Sequence, residues 1–177
     1  MSVPAAILHR VKQFARALGA RVQPEEMRLL EGVLTPAQVE LFRRMSPQDQ
    51  RHALDVFFTL QREGHAERAL LQAALLHDAG KCGGSLRLWH RVSIVLIRAL
   101  WPGLLARIAR EEPGSWRYPF FVHLHHAARG AELARAAGCL PLAVALIRRH
   151  QEPLPAAWRG RREGRLLAAL QAADRNH

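Results

Sequence analysis

Cysteine is scarce. Cys82 and Cys139 are the two in 177 residues, too few for a disulfide framework, and they point to a reducing, cytoplasmic setting. Long apolar runs are absent. The longest stretch without Asp, Glu, Lys or Arg is the 12 residues from Ala136 to Ile147. That falls well short of the roughly 20 that span a bilayer. The apolar segment from Leu86 to Ile108 is interrupted by Arg87, Arg91, Arg98 and Arg107. The N-terminus has no long apolar stretch, so no signal peptide is expected. Strand signals are missing too: one Tyr, little polar–apolar alternation, and no Asn-Gly or Asp-Gly turn. These absences exclude a disulfide-stapled module, a membrane-spanning chain and a sheet built from tight hairpins.

Lysine is nearly absent as well. Of the 26 basic residues only Lys12 and Lys81 are lysine, and the 15 acidic ones leave a formal net charge of +11. Such a charge suits an anionic partner, whether nucleic acid, nucleotide or an anionic membrane surface. Near-exclusive use of arginine equally fits a compositional bias. Against that bias Lys81 stands out.

What is present is apolar and helical. Hydrophobic residues make up 49% of the chain, enough to fill the core of one domain at this length. Ile7, Leu8, Val11, Phe14, Ala15 and Leu18 mark a first helix by their spacing. Further helices are predicted over Pro24–Gly32, Thr35–Met45, Ser46–Glu63, Ala66–Asp78, Leu86–Trp101, Tyr118–Ala137, Pro141–His150 and Glu163–Arg175. Thr35 and Ser46 each precede proline and stand three residues before Gln38 and Asp49, as helix-opening caps do. Gly64, Gly80, Gly83, Gly84 and Gly138 read as helix terminators, and Pro102-Gly103 as a break. Residues 111–117 and 151–160 read as loops. The expected fold is an all-α, single-domain helical bundle, with residues 1–45 as a helical extension preceding the body at 46–177.

Ten histidines is a large number for this length. His52 lies one turn from Val56 on the face of a helix. His77 and Asp78 close the next helix. His123, His125 and His126 share another, His150 ends the helix of Leu146 and Ile147, and Asp174 shares a face with Leu167 and Leu170. A carboxylate on an apolar helix face is costly unless a cation or donor compensates it. Together these residues suggest a metal site within a helical bundle.

The order His52, His77-Asp78, His126, His150, Asp174, with HDAGK at its centre, resembles the HD superfamily of metal-dependent phosphohydrolases. The resemblance runs from Ser46 to Asp174. The family motif is commonly His-Asp-(Ile/Val)-Gly-Lys, and Ala79 is smaller than usual at its third place. In HHAARGAEL, Ala127 replaces a frequent proline while Gly130-Ala131 keeps the tail of the motif. That spacing selects His126, with His125 as the rival. The resemblance implies an HD-type bundle over 46–177. It also implies divalent transition metals, two per chain and drawn from Fe, Mn, Co, Ni or Zn, on His52, His77, Asp78, His126, His150 and Asp174. Asp78 bridges both ions in binuclear members. A pair of cations supplies a nucleophile near neutral pH and neutralises the charge growing in an in-line displacement. Lys81, just after the ligands, is the candidate contact to a substrate phosphate, and Arg149 a second. Cys82 has no place in the ligand pattern and reads as structural.

His150 is followed by Gln151-Glu-Pro-Leu-Pro rather than the extended motif of the branch that cleaves cyclic di-GMP, and no RelA-like motif is present. The pattern looks most like bacterial phosphodiesterases or pyrophosphohydrolases acting on nucleotides. Dinucleoside polyphosphates and cyclic di-AMP are the first substrates to try. The competing class is a low-turnover module that senses a nucleotide or binds RNA, with weak nucleic-acid binding expected. A third reading lays the cationic, Trp-rich segment from Leu86 to Trp116 on a membrane surface, against a plain bundle helix with a lid.

Overall fold

The computed structural model describes residues 22–83 and 88–177. The helix expected around Ile7–Leu18, the start of the one expected at Leu86, and Gly84 lie outside them. Among the described residues there are nine α-helices and no strand. In chain order these are α1 (Pro24–Glu31), α2 (Pro36–Arg43), α3 (Pro47–Arg62), α4 (Arg68–Leu76) and α5 (Leu88–Leu100). They are followed by α6 (Pro102–Ile108), α7 (Tyr118–Ala136), α8 (Pro141–Arg149) and α9 (Arg162–Asn176). A 3-10 turn, Ala79–Lys81, follows α4, and a second, Ala156–Trp158, lies inside the segment expected to be a plain loop.

The starts of α2 and α3 are set by the residues that announced them. Thr35 and Gln38 cap each other's backbone at α2, and the Ser46 hydroxyl accepts from the Asp49 amide at α3. Gly64 and Gly138 sit in the left-handed region just past α3 and α7 (φ 83° and 73°), a backbone conformation that side-chain-bearing residues rarely adopt. Pro102 does more than break a helix: it opens α6, a short helix not among those expected.

α4 is the axle of the bundle. Every residue from Ala69 to Leu76 is buried, which is why its apolar run shows no polar face. α3, α8 and α9 pack around it, and one continuous core runs from Leu30 and Phe42 through Leu54, Leu75 and Leu146 to Leu167. Helices α1 and α2 belong to this core. A buried amide chain also pins α2 and α4 to the turn between α7 and α8. Gln72 donates to Gln38 (3.2 Å), Gln38 donates to the Gly138 carbonyl (3.0 Å), and Gln72 accepts from the Leu140 amide (3.1 Å). Ile94, Leu105 and Phe120 form a second, smaller core that anchors α5 and α6 to α7.

The closest packing in the site region is backbone on backbone. A Cβ on Gly80 would lie 1.9 Å from the His126 carbonyl oxygen and 2.5 Å from the Gly130 nitrogen; one on Gly130 would lie 3.1 Å from the Gly80 nitrogen. Gly80 is therefore not simply a helix terminator, since its φ is not among the positive ones. It lets the turn after α4 lie flat on α7.

Candidate metal centre

α4 ends at Leu76, and the chain turns at once. His77 keeps helical dihedrals (φ −58°, ψ −32°), while Asp78 opens to φ −95°, ψ 2°. Adjacent residues on a regular helix point apart. This early ending, two residues sooner than the pattern Ala66–Asp78 suggested, lets both side chains face one centre.

Two clusters meet there. His52, His77 and Asp174 offer ligand atoms that all lie within 4.8 Å of one another, and so do Asp78, His126 and His150. In the first cluster His52 Nε2 is 2.9 Å from Asp174 Oδ1 and 3.3 Å from His77 Nε2. In the second His126 Nε2 is 3.3 Å from Asp78 Oδ1. The clusters are joined through the neighbours His77 and Asp78, with His77 Nε2 3.6 Å from Asp78 Oδ2. The two oxygens of Asp78 thus look toward different clusters. The second cluster is wholly buried, whereas His52 and Asp174 are half-buried and mark the solvent side.

Three of the four rings are aimed by the same device. The Nδ1 of His77, His126 and His150 donates to the carbonyl three residues earlier, of Ala74, His123 and Ile147, at 2.9, 2.6 and 2.7 Å. A carbonyl only accepts, so the proton is on Nδ1 and Nε2 is left to face the centre. This is how ligating histidines are oriented in metal sites. His126 Nε2 is fully buried and faces Asp78 Oδ1 at 3.3 Å without good hydrogen-bond geometry. His125, the rival, lies on the exposed side of α7 with its ring 4.3 Å from that of Phe121.

Charge in the site is balanced by protons. Burial works against the charged ring of His77, but the carboxylates of Asp78 and Asp174 outweigh it and raise its pKa to about 9. Burial and the neighbouring His77 push His150 down to about 3. Burial also opposes ionisation of Asp78, yet Lys81, His77 and His126 hold it well below the usual carboxylate range. Asp174 is held low against burial by His52 and His77. Two ionised carboxylates are thus compensated by an imidazolium and an ammonium, the charge that bound cations would supply. The inward-facing Nε2 atoms, the imidazole–carboxylate donor set and this charge balance fit divalent transition metals. The thiols do not compete: burial raises the Cys82 thiol and pushes Cys139 up to about 11, and both pack against the main core.

Lys81 reaches back, with its Nζ 2.5 Å from Asp78 Oδ2 and 3.8 Å from Asp49 Oδ1. Asp49 was missed by sequence reasoning, which saw in it only the helix-opening partner of Ser46. It is that partner, accepting from the Ser46 hydroxyl at 2.6 Å, and it is also a buried carboxylate facing the lysine. Arg149 is engaged elsewhere: it pairs with Glu152 at 2.8 Å and lies over the Trp158 ring.

The family model described as HD domain matches residues 50–177, a stretch that holds all six residues of the two clusters. The chain belongs to the HD-domain family. The HD superfamily comprises metal-dependent phosphohydrolases that bind divalent metals, which accounts for histidines and carboxylates gathered inside an all-α bundle. No curated protein and no solved structure shows significant similarity to this HD chain.

Proposed function

We propose that this HD domain holds two divalent transition metals and hydrolyses a nucleotide phosphoester. His52, His77 and Asp174 would hold one ion, His126 and His150 the other, and Asp78 would contribute to both. The single observation that supports this most is the pair of abutting clusters, with three imidazoles aimed inward by their own backbone. A structural zinc site would need only one closed set of four ligands. Bound there, divalent ions supply Lewis acidity toward a phosphoryl oxygen and lower the pKa of an attacking water.

The chain's own residues supply the rest. The burial of Asp78, His126 and His150 excludes bulk water from one side of the centre, while the half-exposed His52 and Asp174 leave the other side open to a substrate. Lys81 stands beside Asp78 as a point charge suited to a phosphate oxygen, with Asp49 positioning its ammonium. We place the phosphate contact on Lys81, which adjoins the clusters, and keep Arg149, exposed and paired with Glu152, as a second candidate. The net charge of +11 favours a small polyanion such as a dinucleoside polyphosphate or cyclic di-AMP.

The test is turnover of diadenosine polyphosphates, cyclic di-AMP and an aryl phosphodiester under Fe, Mn, Co and Ni, beside RNA and duplex DNA binding across a salt series. Chelator-sensitive turnover of at least one nucleotide is expected. Nucleic-acid affinity should fall with log salt by roughly 0.7–0.9 per phosphate contact and be weak at physiological salt. Tight RNA binding that survives chelation, with no turnover under any metal, would replace the enzyme with a binding module.

A further inference from the structure

All 15 acidic residues of the chain fall within residues 25–78 and 111–174. The stretch 79–110 has none, and carries Lys81, Arg87, Arg91, Arg98, Arg107 and Arg110. It contains α5 and α6, and these helices do not bury all of their apolar surface. Ile94 and Leu105 face inward onto Phe120, which fixes the pair to α7. Trp89, Val92, Leu96 and Leu100 recur at helical spacing on another side of α5 and are exposed, and Trp101 and Leu104 continue the stripe onto α6. Leu100 is 54% and Trp101 62% exposed. The exposed Trp116 extends the patch past Phe120, whose ring lies 6.2 Å from that of Trp116 and 6.3 Å from that of Trp89. The part of this patch on α5 and α6 lies in a stretch without acidic residues, unlike scattered surface leucines, while Trp116 follows the exposed Glu111 and Glu112.

We propose that the outer face of α5 and α6 docks the protein peripherally on an anionic phospholipid bilayer. The aliphatic side chains and tryptophans enter the boundary between headgroups and acyl chains, and the exposed Arg107 and Arg110 meet the anionic headgroups. Charge decides against the other occupants. Residues 1–24 also lack any Asp or Glu and carry Arg10, Lys12, Arg16 and Arg21, so that segment would bring like charge onto the patch. A second copy packed face to face would set two acid-free segments against each other. A nucleic acid would match the charge but leaves Val92, Leu96, Leu100 and Leu104 in water, whereas a bilayer takes them in. No helix among the described residues is long and apolar enough to cross a membrane, so the attachment is to the surface.

The full-length chain would be sedimented with vesicles of equal parts phosphatidylglycerol and phosphatidylcholine, and with vesicles of phosphatidylcholine alone. Binding to the anionic vesicles at least tenfold tighter than to the neutral ones is expected. Leu96→Glu combined with Leu100→Glu, both exposed, should weaken it at least tenfold while the helical circular dichroism stays unchanged. Lipids brominated in the acyl chain should quench the tryptophan emission of the unmodified protein, which needs no variant to fold. Equal affinity for both vesicles, anionic binding untouched by the double substitution, or absence of quenching would overturn the proposal. So would a dimer that the double substitution dissociates without any vesicle binding, which would give the face to a second copy. None of these outcomes bears on the metal centre.

Discussion

Gly80→Ala adds one methyl group, and the structure gives it nowhere to go. Its Cβ would lie 1.9 Å from the His126 carbonyl oxygen, 2.5 Å from the Gly130 nitrogen and 2.8 Å from the His126 carbonyl carbon. All three are backbone atoms, so no rotamer change relieves the clash. Restoring ordinary contact at about 3.4 Å needs the turn and α7 to separate by roughly 1.5 Å, the difference from 1.9 Å. Overpacking of this kind costs about 1–3 kcal/mol where side chains yield, and a backbone clash belongs at the upper end. At about 3 kcal/mol, a chain of this size loses roughly 6–12 °C in Tm. The separation also acts on the centre, because α7 carries His126, whose Nε2 is 3.3 Å from Asp78 Oδ1. Thermal unfolding followed by circular dichroism, with metal content measured on the same samples, reads both effects. Gly103→Ala is the control: nothing lies within 4 Å of its Cβ position and it sits in α6. It should be neutral or gain up to about 1 kcal/mol from helix propensity. A Gly80→Ala variant within about 1 °C of the parent, with its metal retained, would refute the close-approach argument.

Asp78→Ala should lose both metals and all turnover, and His126→Ala should lose one metal, whereas His125→Ala should lose neither; elemental analysis of the three variants distinguishes them. Lys81→Ala should keep its metal content and lower turnover by roughly 10²–10³-fold, the usual scale for removing one electrostatic contact to a transition state. If it strips the metal or leaves turnover unchanged, the phosphate role of Lys81 is wrong. The metal-free protein should release about one proton when it binds metal at pH 7. His77, raised to about 9, is protonated there and must become neutral to ligate, while His150, near 3, already is. The sign follows: metal affinity falls as pH drops, by about tenfold per unit below 9 for one proton. Calorimetry in buffers of differing ionisation enthalpy measures that proton, and zero release at pH 7 would contradict the charge balance described for the site.

Local signals carried most of the fold. The caps at Thr35 and Ser46, the left-handed glycines after α3 and α7, and the 3.6-residue spacing of apolar residues each act within a turn or two, and each is where the pattern put it. The clustering of His52, His77, Asp78, His126, His150 and Asp174 was also readable, because histidines and carboxylates on apolar helix faces have few alternatives to meeting. What the residues alone did not disclose depends on distant partners. Gly80 and Gly130 are fifty positions apart in the chain, and their contact leaves no periodic trace. Asp49 looked like a complete helix cap, so nothing pointed to the lysine beyond it. The choice between His125 and His126 turned on which side of α7 faces the turn, a question of packing that spacing to Gly130 addressed only indirectly.

The central claim is a two-ion centre built from two abutting clusters. Elemental analysis of the purified chain after loading with Mn, Fe or Ni tests it most directly. About two ions per chain are expected. A stoichiometry that stays below one per chain with every metal would contradict it.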